Sequence, residues 1–244
     1  MNKLNGERMF KAVLFDLDGT LLNIDMQQFI PRYFHQMMIM AREEGIPDSG
    51  RLVEQVYKST GVMIADKDPD TTNEQVFMSD FLAQTGWEEA PMLDFFNKFY
   101  AIGFPRLKNH SKPFAGIPKM METVLAQDIK VVIATNAVFP LTALEQRLAW
   151  AGLEDFDFEL ITSYEIMHFC KPHREYYEEI ARIINIKPED CLMVGNDVGE
   201  DLPAGTIGMK TFLVENMLID NGAAFKPDWR GDLQEFYRFV KSFE

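Results

Sequence analysis

The chain has 244 residues, 47% of them hydrophobic and 25% charged, a composition typical of a globular protein with room for a domain and an insertion. Asp and Glu number 38 against 24 Lys and Arg, so the formal net charge is −14. Nucleic acids and anionic membranes attract clustered basic residues, and this acidic excess argues against both as partners.

Cysteine usage and hydropathy predict a cytoplasmic protein. The two cysteines, Cys170 and Cys191, are too few for a disulfide framework and are expected to be free thiols in a reducing compartment. No run approaches the ~18 apolar residues of a membrane span, and the first residues lack the apolar stretch of a signal peptide. The sequence leaves open whether the protein is a monomer or a homodimer.

The first predicted element is a strand over Ala12–Phe15, an apolar run without alternation that is typical of a strand buried on both faces. Asp16 and Asp18 follow it, and side chains two apart on an extended backbone point to the same side. Gly19 permits a turn that directs both carboxylates at one centre, and Thr20 adds a hydroxyl. Alone, the pattern also fits a simple turn after a buried strand.

Residues 22–112 contain no convincing strand and are predicted to form an inserted, mainly α-helical cap domain over the sheet. Such a length exceeds that of an ordinary crossover connection. Apolar residues at three- and four-residue spacing predict helices over Phe29–Glu44, Arg51–Val62, Asn73–Thr85 and Pro91–Phe104. The flanking segments, residues 1–21 and 113–244, are predicted to form one core.

The second strand is predicted over Val131–Ala134, and it ends at Thr135 and Asn136. The Thr135 hydroxyl and the backbone N–H that follows could hold an anionic oxygen. Helical spacing then predicts a helix between Pro140 and Gly152, followed by a weaker strand candidate, Phe158–Thr162.

Lys171 precedes a helix predicted over His173–Asn185, and Pro172 restricts Lys171 to non-helical backbone angles. A strand over Leu192–Val194 runs into an acidic loop that contains Asn196, Asp197 and Asp201. A last strand, Thr211–Val214, and a C-terminal helix around Leu233–Val240 complete the chain.

Strands that alternate with helices predict a doubly wound, Rossmann-like α/β sheet. Because ligands bind at the carboxyl ends of parallel strands, the polar side chains that follow these strands are expected to meet at one edge.

The four polar segments resemble, in order, the motifs of the haloacid dehalogenase superfamily. The first of these motifs is DxDx[TV]; a Thr or Ser, a Lys and an acidic GDxxxD or GDxxxxD loop follow. The family fold is a Rossmann-like sheet, often with a cap after the first strand, and the spacing here resembles members with a helical cap, such as phosphoglycolate phosphatases.

The resemblance implies a role for each matched residue. Asp16 would be the nucleophile and Asp18 the general acid and base. Thr135, Asn136 and Lys171 would bind the substrate phosphate, and Asp201 would orient Lys171 or a metal-bound water.

The acidic loop, Gly195-Asn196-Asp197-Val198-Gly199-Glu200-Asp201, departs from the family pattern. With five-residue spacing to Asp201, Asn196 stands where the first Asp is expected; with four-residue spacing, Asp197 fills that place. An all-oxygen site favours Mg²⁺, held by Asp16, by the backbone carbonyl of Asp18 and by either Asn196 or Asp197. Both assignments stay open at this point.

The resulting prediction is an enzyme that hydrolyses a small phosphorylated metabolite with Mg²⁺ through an aspartyl-phosphate. The presence of Asp18 disfavours a dehalogenase, whose leaving group needs no proton. A sugar phosphomutase shares every core residue and is the main alternative; the Asn196 departure keeps a catalytically weak binding or regulatory member as another. In the cap, Arg32, Arg51 and Arg106 could meet a second anionic group but fit solvated helix residues better.

Overall fold

The computed structural model describes residues 9–243, so residues 1–8 and residue 244 of the predicted core lie outside the described part. In chain order its main elements are β1 (Ala12–Phe15), β2 (Leu22–Asn23), α1 (Met26–Glu43), α2 (Ser49–Ala65), α3 (Asn73–Thr85), α4 (Glu89–Lys98), β3 (Lys112–Pro113), α5 (Ile117–Leu125), β4 (Lys130–Ile133), α6 (Leu141–Ala151), β5 (Leu160–Ile161), α7 (Arg174–Ile183), β6 (Cys191–Gly195), β7 (Lys210–Val214), β8 (Trp229–Gly231) and α8 (Leu233–Val240).

A six-stranded parallel sheet forms the core, in the order β5-β4-β1-β6-β7-β8. β1 is a central strand, paired with β4 on one side and β6 on the other. Residues that follow β1 therefore lie in the middle of the carboxyl edge, between the ends of β4 and β6.

Successive residues of a strand point to opposite faces of the sheet. In β1 both sets of side chains are apolar, and helices cover both faces. Val13 and Phe15 share one apolar cluster with residues of α5, α6 and α8. Ala12 and Leu14 belong to a second cluster with residues of α7. The predicted doubly wound α/β fold with a mainly helical insertion is confirmed.

The insertion is joined to the core by a short antiparallel ladder of β2 and β3, in which Leu22 faces Pro113 and Asn23 faces Lys112. This ladder lies at the two predicted domain boundaries, so the chain leaves and re-enters the core side by side. We keep the name cap for residues 22–112, the predicted domain.

The cap packs against the core through aromatic rings and one buried amide. Phe104 of the cap stacks on Trp150 of α6, with ring centroids 5.3 Å apart. Asn73, the first residue of α3, is fully buried and donates from Nδ2 to the carbonyl oxygens of Ala137, at 3.0 Å, and Phe169, at 3.3 Å. The N-terminus of α3 is thus fastened to the loops that follow β4 and β5.

Three sequence predictions about secondary structure need correction. Residues 22–112 do carry strands at their two ends, β2 and β3, but two residues are too few for a strand period to be recognised. The strand expected over Phe158–Thr162 is reduced to Leu160–Ile161, the two residues in register with β4. The backbone N–H groups of Glu159 and Thr162 also donate to carbonyl oxygens of β4.

The third correction concerns the helix predicted over Pro91–Phe104. α4 begins at Glu89 and is followed by a π-helical turn, Phe99–Gly103, and a 3-10 helix, Phe104–His110. Gly103 lies so close to Phe99 that a Cβ there would approach its ring to 2.8 Å. Local packing rather than apolar spacing decides where this helix changes form.

Among residues 9–243, no helix is both long enough and apolar enough to span a bilayer. Cys170 and Cys191 are buried and are both free thiols, as the cysteine count predicts.

Candidate active site

A buried ammonium group joins two of the predicted site residues at the carboxyl edge of the sheet. Lys171 is 1% exposed, and its Nζ donates to Asp16 Oδ1 at 2.9 Å and to Asp201 Oδ1 at 2.6 Å. Burial alone would lower the pKa of Lys171, but the carboxylates of Asp16 and Asp201 raise it well above its usual value. The side chain of Lys171 therefore lies buried between the carboxyl groups of Asp16 and Asp201, which favour its charged form.

Thr20 links Asp16 to Asn196. Its Oγ1 lies 3.1 Å from Asp16 Oδ2 and 3.0 Å from Asn196 Oδ1. The turn before it needs Gly19, which has a φ of 88°, and a Cβ there would lie 2.4 Å from Asn196 Nδ2. On its other side, Asn196 Nδ2 donates to the carbonyl oxygen of Met217 at 2.6 Å.

Asp197 has a different environment from Asn196. Its Oδ1 accepts from the backbone N–H of Gly199 at 2.7 Å and of Glu200 at 3.0 Å, so the side chain closes the turn of its own loop. Its backbone N–H donates to Asp201 Oδ2 at 2.9 Å. Asp201 is thereby held on both oxygens, one by this backbone and the other by Lys171.

The segment after β4 is fixed beside Lys171. The backbone carbonyl of Thr135 accepts from the hydroxyls of Thr162 and Tyr176, both at 2.7 Å. Asn136 Oδ1 accepts the backbone N–H of Lys171 at 3.1 Å. Of the predicted phosphate-binding residues, Asn136 and Lys171 are therefore in direct contact. Thr135 comes directly before Asn136, and two hydrogen bonds to its carbonyl oxygen hold its backbone in place.

Arg147, on α6, is a residue that sequence reasoning missed. It is fully buried and its Nη1 forms an ion pair with Asp18 Oδ2. Burial raises the pKa of Asp18, against the opposing effect of the Arg147 guanidinium. A signal was present in the sequence: Arg147 lies three residues after Leu144, on the apolar side of α6, where a charged residue is unusual.

The donor set at this edge fits a hard cation. No three His, Cys, Asp or Glu side chains in the described part of the chain converge as a metal site by themselves. Mg²⁺, however, takes only one or two protein carboxylates and keeps several waters. The Thr20 hydroxyl has a single proton for two acceptors, Asp16 Oδ2 and Asn196 Oδ1, and each of these oxygens has two lone pairs, so both keep the capacity to bind a cation.

The three cap arginines considered from the sequence lie in ordinary surroundings. Arg51 donates from Nη2 to the carbonyl oxygens of Gln84 and Thr85, at 2.9 Å and 3.1 Å, near the end of α3. Arg32 approaches His110 at 3.5 Å, and Arg106 is exposed. These contacts agree with solvated helix residues.

Comparison with known proteins gives the class. Residues 10–206 match the family described as "haloacid dehalogenase-like hydrolase". The glyceraldehyde 3-phosphate phosphatase of Methanothermobacter thermautotrophicus is 26% identical over 217 residues, 87% of this chain and 88% of that protein. The phosphoglycolate phosphatase of Thiobacillus denitrificans is 27% identical over 217 residues, 84% of this chain and 82% of that protein.

A solved structure shows the same fold: the magnesium-bound HAD-hydrolase YfnB from Bacillus subtilis superimposes with a TM-score of 0.55 at 22% identity, over 96% of this chain and 99% of that one. The chain belongs to the haloacid dehalogenase-like hydrolase family. Within that family it is an enzyme of the phosphatase class, as the sequence motifs predict. Hydrolases of this family generally use Mg²⁺.

Proposed function

We propose that the chain hydrolyses the phosphate monoester of a small metabolite with Mg²⁺, through an aspartyl-phosphate formed on Asp16. The observation that carries this proposal is the buried ammonium of Lys171, 2.9 Å from Asp16 and 2.6 Å from Asp201. A cation there fixes the nucleophilic carboxylate and attracts phosphoryl oxygens. The two curated relatives act, by their names, on glyceraldehyde 3-phosphate and phosphoglycolate, which supports the same class of ester.

In the first step, an oxygen of the Asp16 carboxylate attacks phosphorus, and the bond between phosphorus and the leaving oxygen breaks. Asp18 donates its proton to that oxygen, so the alcohol departs neutral. The raised pKa of Asp18, caused by burial, favours the protonated acid that this step needs. Thr135, Asn136 and Lys171 hold the phosphoryl oxygens.

In the second step, a water molecule attacks phosphorus in the aspartyl-phosphate. Asp18, now a carboxylate, accepts the water proton, and the bond between phosphorus and Asp16 breaks. Inorganic phosphate leaves, with Asp16 ionised and Asp18 protonated again. Asp201 orients Lys171 throughout.

When bound, Mg²⁺ neutralises charge on the phosphoryl oxygens and holds them against the nucleophile. We infer that its protein ligands are the Asp16 carboxylate, the backbone carbonyl of Asp18 and the side-chain oxygen of Asn196. The Thr20 hydroxyl shared by Asp16 and Asn196 supports Asn196 as the ligand. Asp197 Oδ1, in contrast, already accepts two backbone N–H groups.

Turnover of p-nitrophenyl phosphate, with Mg²⁺ and with EDTA, tests the function. We expect phosphate release that requires Mg²⁺, and none from Asp16→Asn, whose amide is a poor nucleophile. Asp157→Asn, at an exposed position before β5, is the matched control and should retain wild-type activity. Circular dichroism and the Tm should show that all three proteins fold alike.

The hydrolase proposal fails if the wild type neither hydrolyses any phosphate ester nor binds beryllofluoride, a mimic of the phosphoryl group. Full activity in Asp16→Asn would instead refute the nucleophile. If phosphate transfer between sugar positions appears only when a sugar bisphosphate is added, the phosphomutase alternative is correct.

The metal ligand can be tested separately by titrating Mg²⁺ into two variants. Loss of a ligand in Asn196→Ala should raise the Mg²⁺ concentration for half-maximal activity by about 10- to 100-fold, the range seen when groups around a metal are removed. Asp197→Asn keeps an oxygen for its turn and should change this concentration far less. The opposite result would assign the metal to Asp197.

A further inference from the structure

Arg147 is a buried cation with only part of its hydrogen-bonding capacity in use. Its Nη1 is paired with Asp18 Oδ2, and the Phe139 ring lies against the guanidinium, with the central carbon 4.4 Å from the ring centroid. The side chain has no exposed surface. The guanidinium is therefore held on α6 by an acid at one nitrogen and by an aromatic face.

The other edge of the same guanidinium has no partner. Nε and Nη2 are buried and have no acceptor among the described residues. Adjacent Nε and Nη2 groups form one of the two edges with which arginine binds a carboxylate or phosphate through parallel hydrogen bonds. Buried donors are rarely left without an acceptor, so this edge indicates a group that the protein alone does not supply.

The position of Arg147 beside Asp18 indicates which part of a substrate it could contact. Asp18 is the residue that we propose to protonate the leaving oxygen, and one of its own oxygens, Oδ1, is also buried without a partner. A group beside Asp18 is therefore part of the leaving group. When Asp18 turns toward the leaving oxygen, Arg147 loses the only ionic partner it has among the described residues.

Space for a leaving group lies close by. Tyr33 and Phe139, which both lie near Arg147, line a cavity of about 430 Å³ between the cap helices α1 and α2 and the loop after β4. The cavity lining is mostly apolar, and Lys58 is the one charged side chain among its described lining residues. The buried cations of the described chain are Lys171 and Arg147. Because we place Lys171 at the transferred phosphoryl group, Arg147 is the buried cation left for an anion on the leaving group.

We propose that Arg147 binds a second anionic group, a carboxylate or a phosphate, on the leaving group of the substrate. Nε and Nη2 donate hydrogen bonds to this anion, while Nη1 stays paired with Asp18. Arg147 therefore binds the leaving group next to the acid that protonates it. The proposal rests on the proposed phosphatase function and narrows its substrate to phosphate esters that carry a second anionic group.

Substrates matched in size test this specificity. Ethyl phosphate has no second anionic group, phosphoglycolate adds a carboxylate, and the bisphosphate of ethylene glycol adds a phosphate. Hydrogen bonds between charged groups are stronger than those between neutral groups. We therefore expect the wild-type kcat/KM for at least one substrate with a second anionic group to exceed that for ethyl phosphate by about tenfold or more. Comparing kcat/KM for phosphoglycolate with that for the bisphosphate shows whether Arg147 prefers a carboxylate or a phosphate.

The ratio of kcat/KM for a substrate with a second anionic group to kcat/KM for ethyl phosphate then tests the role of Arg147. Arg147→Gln should bring this ratio close to one, and Arg147→Lys, which keeps the charge but loses the fork, should give an intermediate ratio. Arg174→Gln, at a side chain that is 64% exposed on α7, is the control and should keep the wild-type ratio.

Each outcome bears on one proposal. A wild type that treats the three substrates alike overturns the role of Arg147 without any variant, even if Arg147→Gln does not fold. A preference that survives in Arg147→Gln also overturns it, since the anion must then bind elsewhere. Failure of the wild type to hydrolyse any phosphate ester, p-nitrophenyl phosphate included, removes the phosphatase function itself.

Discussion

The core and the cap bury different kinds of side chain. All the buried charged residues of the described chain, Asp16, Arg147, Lys171, Glu179 and Asp201, lie in the core. The buried polar residues of the cap are uncharged: Ser49, Ser59, Asn73 and Thr85. The rest of the buried cap is apolar and rich in aromatic and Met side chains.

This contrast shows that buried charges are stabilised in the core, whereas the buried part of the cap is apolar. Burying a charge is costly unless an opposite charge and hydrogen bonds compensate it, and the core provides such compensation at its strand ends. The buried interior of the cap is apolar, and an apolar covering over the strand ends would strengthen the ionic interactions there. The two regions meet at Phe139 and Trp150 of the core and Phe104 of the cap.

The largest effect is expected from Lys171→Met in the core. It leaves two buried carboxylates without their cation, and we expect a loss of about 3–5 kcal/mol in the free energy of unfolding, as when one partner of a buried ion pair is removed. Phosphatase activity should also disappear. Urea denaturation and phosphate release measure the two effects.

The matched control is Lys98→Met in the cap. Lys98 pairs with Glu44 at 2.5 Å, but the two side chains are 41% and 35% exposed. An exposed pair of this kind contributes at most about 1 kcal/mol. Equal losses in the two variants would contradict the distinction between core and cap charges.

A loss of stability of similar size, but without loss of activity, is expected from Phe81→Ala in the cap. Phe81 is fully buried and lies 5.4 Å from Phe96 and 5.9 Å from Trp87, centroid to centroid. Removing a buried aromatic ring should cost about 3–5 kcal/mol. Because Phe81 packs against other aromatic rings of the cap, the folded fraction should still hydrolyse p-nitrophenyl phosphate.

The control for Phe81 is Tyr57→Ala, at a ring that is 68% exposed on α2. We expect it to change the free energy of unfolding by less than about 0.5 kcal/mol, as most surface substitutions do. A small loss in Phe81→Ala would mean that the cap is not stabilised by its aromatic interior.

The smallest effect is expected from Asn73→Ala, at the contact between the two regions. It removes the hydrogen bonds from Asn73 to the carbonyl oxygens of Ala137 and Phe169, a cost of about 1–3 kcal/mol. The Ala137 oxygen then keeps only the weak thiol donor of Cys170, at 3.9 Å. The cap should open more often as a result. Gln127→Ala, which removes two side-chain bonds within the core, is the control.

Thiol reactivity reports this opening. Burial raises the pKa of Cys170 to about 12 and that of Cys191 to about 12, so neither thiol should react quickly in the native protein. Asn73 Nδ2 lies 3.4 Å from Cys170 Sγ, whereas Cys191 begins β6 inside the sheet. Asn73→Ala should therefore speed modification of Cys170 alone; equal rates at both thiols would indicate global unfolding instead.

Local patterns determined much of the fold and of the candidate site. A strand buried on both faces is a short apolar run, and a ligand site in a parallel sheet lies at strand ends, so Asp16 and Thr135 could be located by their positions after predicted strands. Lys171 was singled out by its resemblance to the third motif of the family. Amphipathic spacing likewise located the cap helices, and α3 has the bounds that its spacing predicts.

Pairings between distant residues were decided only by the tertiary structure. Arg147 and Asp18 are 129 residues apart, and no periodicity of α6 says which buried group an arginine on it will meet. Asn196 and Asp197 are neighbours in sequence, yet one turns toward Thr20 and the other closes its own loop. The sequence by itself determined which residues gather at the carboxyl edge, because that depends on local order along the chain. Packing decided how they pair, because each buried charge takes the partner that the folded chain brings within hydrogen-bonding distance.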